Sequence, residues 1–417
     1  MVGTEMLVIG LLLSGMALAQ GQYSFSVIVP GGEDANKDGT ASDMIAQGAR
    51  EGCPSVIRFP SRKYSWTILN YGSCALDLKT LTDENEQAYE DAINSATQDD
   101  EFVLCSGYFG SKALAAAAKD HPNKGFAIAD FEFTPPVANI ASILIRDDEE
   151  GFLAGLLAGE IAKDKSKRVA VVGGVNQPDT RRKVNGFANG VKQACPDCTP
   201  LCTYAASFTN KENESDEIFN ALINTQDVDV VFNAGSITGT AVLKRMTTER
   251  GTLVIGDTTD EWVTNWAYGS VPGSERVLTS IIRDYRVLIR ENIKRVLNGN
   301  LTTGVTTSFG VTENNETSTL RFADCHEACE IYTPKLQDKM QDYIQKMASG
   351  EIKPLIDHKS GYNHGGGLTS ETTCTMIERK NSTQRDKLHG LRSLANQALP
   401  LEWLTAMSIF IFSLVTF

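Results

Sequence analysis

The sequence predicts an α/β protein built from parallel sheets with helices on their faces. Short apolar segments alternate with longer amphipathic ones along most of the chain, as in successive strand–helix units. The clearest unit runs from Arg146 to Phe187 and contains an apolar helix, a buried strand, the loop Gly173-Gly174 and a second helix. With 417 residues, 41% of them hydrophobic, the chain is long enough to form two domains.

The overall charge limits the classes of partner. The chain has a formal net charge of -13, and 22% of its residues are charged. Nucleic acids and anionic membranes need a positive face on the protein, because binding displaces counterions from their phosphate groups. The charge therefore argues against both partners, but not against an uncharged small molecule.

A first lobe is predicted for residues 20–146, completed by segments after about residue 283. Its predicted strands are Tyr23–Val29, a segment within Tyr64–Asn70, Glu101–Cys105, Phe126–Asp130 and Ala141–Arg146. Its predicted helices are about Thr40–Glu51, Asp83–Thr97 and the alanine-rich segment after Gly107.

The loop between the first strand and the first helix is polar. It contains Asp34, Asn36 and Asp38 but lacks the terminal glutamate of a calcium-binding loop. At a strand-to-helix turn such side chains can accept hydrogen bonds from a sugar or a base. We therefore expect Asn36 to contact a ligand rather than a metal.

A second lobe is predicted for residues 147–283. Its predicted strands are Arg168–Gly174, Leu201–Ser207, Val228–Ala234, Leu253–Gly256 and Val277–Arg283. Its predicted helices are the segment at Gly151, with Asp147–Glu150 before it, and Thr180–Ala194, Glu214–Ile223 and Ile237–Thr247. Residues 284–356 are predicted to return across the lobes with helices Asp284–Leu297 and Lys335–Ala348.

Residues 1–19 have the pattern of a secretory signal peptide. The apolar segment Met6–Ala19 ends in Ala17-Leu18-Ala19, which matches the small residues before a signal-peptidase site. No lysine or arginine precedes this segment, so a buried N-terminal strand is the alternative.

The C-terminal region predicts a stalk and an anchor signal. Residues 357–395 are polar, and residues 396–417 end in an uncharged apolar segment from Trp403. That segment is short for a spanning helix and has no cation after it, whereas the small residues Ser393–Asn396 suit a glycosylphosphatidylinositol signal. A single membrane helix is the alternative. Either anchor predicts a folded part on the outer face of the plasma membrane, and the lipid anchor implies a eukaryote.

Nine cysteines are consistent with an oxidising compartment and disulfide bonds. The odd count leaves one thiol free or paired with another chain. Two clusters, Cys195-x-x-Cys198 and Cys325-His326 with Cys329, also admit a redox or metal-binding interpretation, but a stapled loop is preferred. Four glycosylation sequons, at Asn213, Asn300, Asn315 and Asn381, would lie on surface loops of a secreted chain.

Three motifs resemble the basic membrane protein family (PnrA-like) of type I solute-binding proteins, the nucleoside-binding lipoproteins of bacterial importers. They are Gly151–Gly155 (GFLAG), Val172–Gly174 (VGG) and the segment Arg181–Phe187, and the resemblance extends over about residues 25–350. It implies a two-lobed type I periplasmic-binding-protein fold, in which each lobe is a parallel sheet flanked by helices and crossover strands join the lobes. It also implies hinge closure on a purine nucleoside, with no cofactor.

The resemblance further implies which residues contact the base. Phe208, in the pair Ser207-Phe208, stands where the family stacks a ring on the nucleobase, and Asp130 ends a strand that leads to a pocket aspartate. Tyr108 and Phe109 match a Gly-Phe turn and offer further aromatic faces. Lys112 is a departure, because the family usually has an aspartate near this point.

The ribose is expected at the ends of three later strands. Gly235 begins a glycine-rich turn whose backbone can approach a ligand closely. Asp260 matches the second carboxylate of the family motif Gly-Val-Asp-x-Asp-Gln, and Arg283 keeps the positive charge of a family lysine. Thr258 stands at the first carboxylate, so Asp257 would serve there if the turn shifts by one residue.

No catalytic motif is present in the sequence. There is no GxGxxG at a first strand–helix turn, no GxxxxGK[ST], no Gly-x-Ser-x-Gly elbow and no His-Glu-x-x-His helix. The sequence therefore favours a solute-binding protein without enzymatic activity, of unknown protein partner. One alternative is a cell-surface sensory or interaction protein that kept the fold and lost the ligand. A nucleoside hydrolase is the enzymatic alternative, but it would need an aspartate cluster around Ca²⁺ near the N-terminus.

Overall fold

The computed structural model describes residues 23–30, 39–53, 74–81, 85–207, 214–224, 227–314, 316–363 and 374–377. All of these except Ile377 belong to one compact unit, Met1–Met376; Ile377 belongs to a second, Ile377–Phe417. The predicted site residues Asn36 and Phe208 lie outside the described residues, as do the predicted signal peptide, the strand expected within Tyr64–Asn70 and the anchor segment 396–417.

Six described strands form the first sheet, which is entirely parallel. They are β1 (Tyr23–Val29), β2 (Cys74–Thr80), β3 (Phe102–Ser106), β4 (Gly125–Ala129), β5 (Ile140–Ile145) and β11 (Thr306–Phe309). Their order is β11–β5–β4–β3–β1–β2. Most residues of β3, β4 and β5 are buried, because helices cover such a sheet on both faces.

A second sheet is built from the strands that follow. They are β6 (Arg168–Gly173), β7 (Thr199–Tyr204), β8 (Val230–Ala234), β9 (Leu253–Thr258), β10 (Val277–Arg283), β12 (Leu320–Phe322) and β13 (Thr375–Met376). The order is β12–β10–β9–β8–β6–β7–β13, with β12 antiparallel to β10 and every other neighbouring pair parallel.

Helices alternate with these strands through most of the described chain. They are α1 (Ala41–Gly52), α2 (Glu86–Asp99), α3 (Gly107–Asp120), α4 (Asp147–Ala162), α5 (Pro178–Ala194), α6 (Glu214–Ile223), α7 (Ser236–Arg250), α8 (Glu261–Thr264), α9 (Tyr285–Leu297) and α10 (Pro334–Ala348). Two 3₁₀ helices, Ser274–Arg276 and His326–Ala328, complete the set described.

The predicted elements are confirmed wherever the structure describes them, with ends that differ by a few residues. The side chain of Thr40 caps α1 by accepting a hydrogen bond from the Asp43 amide (3.2 Å), as expected from the sequence. Strand β2 was not predicted from the sequence. It lies at the edge of the first sheet, where most of its described side chains are half-buried or exposed, so its apolar signal is weak.

The described chain passes between the lobes after β5, after β10 and after β11. Helix α4 follows β5 but packs on α5 of the second lobe, whereas α9 follows β10 and packs on α1 of the first. At these crossings Asp284 donates its amide to the Thr319 carbonyl (2.8 Å), and Arg146 to the Phe309 carbonyl (2.7 Å). The predicted two-lobed α/β architecture with crossover segments is confirmed.

Helices α4 and α5 approach each other through glycine. A Cβ added to Gly155 would lie 2.0 Å from the Phe187 carbonyl oxygen, and one added to Gly190 would lie 2.2 Å from the Phe152 carbonyl oxygen. No side chain fits in that space. The contact therefore brings the first turn of α4 against α5, which builds one wall of the site described below.

Eight of the nine cysteines are paired, all within the described residues. The pairs are Cys53–Cys74, Cys195–Cys198, Cys202–Cys374 and Cys325–Cys329. Cys105 is free and buried in the first lobe, and burial raises the pKa of its thiol. Both local cysteine clusters therefore form stapled loops.

The chain after α10 lies along the second lobe. Asn185 on α5 donates to the Gly361 carbonyl (2.7 Å), and Arg182 donates to the His358 carbonyl (2.7 Å). The segment expected to begin the stalk at Asp357 thus packs on α5 as far as Asn363. In the part of the chain that the structure describes, no helix is both long and apolar enough to cross a membrane.

Candidate functional site

A cavity of about 160 Å³ lies where the carboxyl ends of several strands meet the amino end of α5. In parallel sheets this edge is where ligands bind. The first lobe contributes Asp130 and Tyr285, and the second contributes most of the other lining residues. The lining consists of Asp130, Asp147, Asp179, Thr180, Lys183, Ala234, Ser236, Asp257, Thr258, Arg283 and Tyr285.

Three lining residues other than glycine have left-handed backbone. Asp130 follows β4 with φ 62°, Ser236 begins α7 with φ 53°, and Thr258 ends β9 with φ 66°. Each such residue costs about 1–3 kcal/mol and persists where the surrounding structure needs that geometry. Their convergence on one cavity marks it as the candidate functional site.

Asp130 is held by two donors. Arg283 donates from Nη2 to Asp130 Oδ1, and the Tyr285 hydroxyl donates to Oδ2 (2.7 Å). Arg283 is itself almost fully buried and bonds Asp147 Oδ1 and Glu150 Oε2, both at 2.7 Å. One guanidinium thus joins the first lobe to the start of α4.

Asp257 is held by a residue of the second lobe. Lys183 on α5 donates from Nζ to Asp257 Oδ2 at 2.9 Å and to Oδ1 at 3.1 Å. The same ammonium lies 3.2 Å from Glu150 Oε1, beneath the cavity. Burial opposes ionisation of Asp257, but Lys183 together with its other polar neighbours, including Arg283, outweighs burial and holds the pKa of that carboxyl below its ordinary value.

Asp147 completes the charged cluster. Arg182 donates to Asp147 Oδ2 from Nε (3.1 Å) and from Nη2 (2.8 Å). Burial would raise the pKa of Asp147, but the attraction of Arg283 and Arg182 outweighs burial and lowers it. Asp147 is therefore an anion at neutral pH.

Glu261 stabilises the turn after β9 through hydrogen bonds. Its Oε1 accepts from the Asp257 amide (2.9 Å) and from Asn233 Nδ2 (2.7 Å), and burial raises its pKa to about 7. Glu261 also lines a second cavity of about 380 Å³, which shares Ser236, Asp257 and Thr258 with the first. The site therefore continues beyond the smaller cavity towards α7.

The structure brings together Asp130, Asp257 and Arg283 among the residues predicted from the sequence. Gly235 immediately precedes the lining residue Ser236, and its amide donates to Asn233 Oδ1 (2.9 Å). A Cβ at Gly235 would lie 3.1 Å from the Val172 carbonyl oxygen, which shows the close approach of the backbone.

The remaining described candidates lie outside this cavity. Asp260 lines a different cavity of about 460 Å³, together with α1 residues, and its Oδ2 accepts a hydrogen bond from His326 Nε2 at 2.7 Å. Tyr108 and Phe109 begin α3 with exposed fractions of 67% and 41%. Lys112 is also exposed, 4.0 Å from Glu86.

Several lining residues were not identified from the sequence. They are Asp147, Asp179, Thr180, Lys183, Ala234, Ser236 and Tyr285. Glu150, which is buried next to Lys183, was not identified either. The acidic run Asp147–Glu150 was noticed only as a favourable start for a helix. Asp147 and Glu150 of this run meet the cations of α5 and β10 through tertiary packing, for which no local sequence signal exists.

Comparison with known proteins agrees with this architecture. The family model "ABC transporter substrate-binding protein PnrA-like" (Bmp) matches residues 68–330. The chain belongs to this family. The resemblance seen in the sequence is therefore confirmed, and members of the PnrA-like family are substrate-binding proteins. No curated protein matches the sequence significantly.

Solved structures share the fold of this PnrA-like chain. A solute-binding protein of an ABC transporter system from Aeropyrum pernix K1 is 20% identical, with a TM-score of 0.55 over 79% of this chain and 92% of that one. A solute-binding protein from Conexibacter woesei DSM 14684 is 15% identical, with a TM-score of 0.55 over 79% and 98%. A transcriptional activator of the comK gene from Bacillus halodurans is 16% identical, with a TM-score of 0.58 over 80% and 99%. At these identities the likeness establishes the type I periplasmic-binding-protein fold alone.

Proposed function

We propose that this protein binds a purine nucleoside between its two lobes and releases it unchanged. The observation that supports this best is the cavity at the strand ends, to which both lobes contribute hydrogen-bonding charged groups. Asp257 and Arg283 would bond the ribose hydroxyls. Asp130 would bond the edge of the base.

The available groups suit such a ligand energetically. A hydrogen bond from a hydroxyl to a charged partner contributes about 1.5–3 kcal/mol. Aromatic side chains stacked on a base contribute about 1–3 kcal/mol each. Tyr108 and Phe109 are exposed but lie outside the cavity, so they would stack on the base only after the lobes close.

Ligand binding would favour a closed arrangement of the lobes. The crossings after β5 and β10 are each a single residue, typical of the hinges about which two domains close on a ligand, and the crossing after β11 is longer. A ligand that contacts both lobes binds the closed arrangement more tightly than the open one. This difference in affinity determines how far the ligand shifts the equilibrium towards the closed arrangement. Asp130 and Asp257 lie on opposite lobes, so one ligand bonded to both would supply that difference.

Titration calorimetry of the purified protein with adenosine, guanosine and inosine tests the proposal. We expect heat of binding for at least one of them, and a roughly tenfold or greater loss of affinity in Asp257→Asn, since one charged acceptor is removed. The matched control is Asp197→Asn, whose carboxylate is 84% exposed and remote from the cavity. Absence of heat with all three nucleosides would refute the proposal.

A separate variant tests the role of Asp260 at the ribose. Because Asp260 lines the larger neighbouring cavity, Asp260→Asn weakens nucleoside binding only if the ligand extends there. If Asp260→Asn leaves the nucleoside affinity unchanged and Asp257→Asn lowers it, the ribose is bonded by Asp257 and not by Asp260.

We also propose that the folded part faces the outside of the cell on a glycosylphosphatidylinositol anchor. Its paired cysteines and the exposed sequon asparagine Asn300 support this location. Release of the protein from intact cells by a phosphatidylinositol-specific phospholipase C is the expected result. Retention after that treatment, with release by detergent only, would instead indicate a membrane helix.

A second function is favoured by one specific observation. The charged groups of the cavity already pair with one another. A cell-surface sensory or interaction protein that lost its ligand would have this property. This alternative predicts that no nucleoside changes the melting temperature of the protein. The nucleoside-binding function predicts that a bound nucleoside raises the melting temperature.

A further inference from the structure

Asp130 adds a net negative charge to the wall of the cavity. Beside it, three buried cations balance three buried acids. They are Arg182, Lys183 and Arg283 with Asp147, Glu150 and Asp257. Asp130 is a fourth acid, and its side chain is 32% exposed where it lines the cavity from the first lobe. A group of the ligand that meets this carboxylate is therefore favoured if it donates hydrogen bonds.

Both carboxylate oxygens of Asp130 are fixed in place. Arg283 Nη2 donates to Oδ1, and the Tyr285 hydroxyl donates to Oδ2 at 2.7 Å. Both donors belong to one short segment, because only Asp284 separates Arg283 from Tyr285. An ionised carboxylate has about four lone-pair sites and no hydrogen to donate. Each oxygen therefore keeps an acceptor site beside the one already used, and the two oxygens form a pair of adjacent acceptors.

Aromatic side chains adjoin Asp130 on the first lobe. Phe131 follows it directly, and the Phe131 ring lies 6.1 Å from that of Tyr108 and 5.0 Å from that of Phe133. The Phe109 ring lies 6.1 Å from that of Tyr108, which is exposed. Rings of this kind stack on the face of a base. The side of the cavity that carries Asp130 therefore suits the base of a nucleoside.

The three purine bases present different groups to a pair of adjacent acceptors. Guanine presents two adjacent donors, the N1 hydrogen and the 2-amino group, whereas hypoxanthine has the N1 hydrogen alone. Adenine places its 6-amino donor beside N1, an acceptor that a carboxylate repels. We propose that Asp130 is a specificity-determining residue that selects guanosine over inosine and adenosine by accepting both donors of the guanine edge. This inference rests on the nucleoside binding proposed above.

Calorimetric titration of the wild type with a series of nucleosides tests the selection without any substitution. Guanosine should bind roughly tenfold or more tightly than inosine, which lacks only the 2-amino group. Adenosine should bind more weakly than guanosine by at least the same factor. Inosine or adenosine that binds as tightly as guanosine would overturn the inference. If none of the three nucleosides binds, the function proposed above fails as well.

The variant Asp130→Asn assigns the selection to this side chain. An asparagine amide has one donor and one acceptor, so it pairs with the 6-amino group of adenine and the ring nitrogen beside it. The ratio of guanosine to adenosine affinity should therefore fall roughly tenfold or more from its wild-type value. Asp257→Asn is the matched control, because Asp257 would bond the ribose, and it should weaken both nucleosides by the same factor. An unchanged ratio in Asp130→Asn would overturn the role of Asp130.

Discussion

Arg283 and Asp130 form an ion pair although 153 positions separate them in the sequence. Asp130 follows β4 of the first lobe, and Arg283 ends β10 of the second, next to a crossing between the lobes. Because Arg283 also bonds Asp147 and Glu150, the pair connects the two lobes to the start of α4. Its strength should therefore affect both stability and lobe closure.

A double-mutant cycle measures this connection. Arg283→Lys and Asp130→Asn, made singly and together, should show a coupling free energy of about 1–3 kcal/mol in urea unfolding. Lysine keeps the charge but lacks the planar fork that reaches several carboxylates at once. Asp130→Asn combined with Lys346→Arg, an exposed site, is the control and should be additive within about 0.5 kcal/mol. Additivity of the first pair would contradict the inferred connection.

The close contact of α4 and α5 predicts unequal effects of two glycine substitutions on one helix. Gly155→Ala places a Cβ 2.0 Å from a carbonyl oxygen, so the helices must separate, at a cost of about 1–3 kcal/mol or more. Gly159→Ala meets its nearest atoms at 3.0 Å, and the alanine gains about 1 kcal/mol of helix propensity, so little net change is expected. Thermal unfolding of the two variants compares them; a Gly159→Ala protein as unstable as Gly155→Ala would refute this packing.

Glu261 predicts a loss of stability as the pH rises. Its pKa is about 7 in the folded protein against 4.5 ordinarily, so its contribution is fully present below pH 4.5 and is lost as the pH passes 7. Relative to Glu261→Gln, the free energy of unfolding of wild type should fall by up to about 3 kcal/mol between pH 4.5 and 8. Glutamine can still accept from Asn233 and from the Asp257 amide. Parallel urea unfolding at both pH values checks this, and a constant difference would argue against a buried neutral Glu261.

The Cys325–Cys329 bond should be the first disulfide to be reduced. Cys329 is exposed, whereas both cysteines of each other pair are buried. Accessibility to the attacking thiolate governs the rate of exchange. Stepwise treatment with dithiothreitol, alkylation and peptide mass mapping should label Cys325 and Cys329 before any other pair. Earlier labelling of Cys202 or Cys374 would contradict the burial of that pair.

Reduction of this loop should also change the environment of Trp262. The His326 ring stacks on the Trp262 ring at 4.1 Å, and Trp262 Nε1 donates to Glu327 (3.1 Å), so the stapled loop holds the indole. Loosening the loop should alter the fluorescence of Trp262. The variant Trp262→Phe is the control, because the change should disappear with the indole.

The sequence by itself determined most of the strands and helices, and its motifs identified the family. Apolar periodicity, glycine turns and capping residues such as Thr40 are local signals, and each acts within a few residues of the chain. They also placed Asp130, Asp257 and Arg283 at the ends of strands. Since the carboxyl ends of neighbouring parallel strands meet at one edge, the proximity of Asp257 and Arg283 in the second sheet followed from topology, whereas Asp130 reaches them from the first sheet.

Only the tertiary structure decided how the charges are paired. Lys183 meets Asp257 across 74 positions, and glycines that let α4 and α5 approach closely bring the same side chain to Glu150. The pKa values of Glu150 and Glu261 likewise depend on burial by residues far away in the sequence. Burial and long-range ion pairing are properties of the packed chain, and no local pattern of residues encodes them.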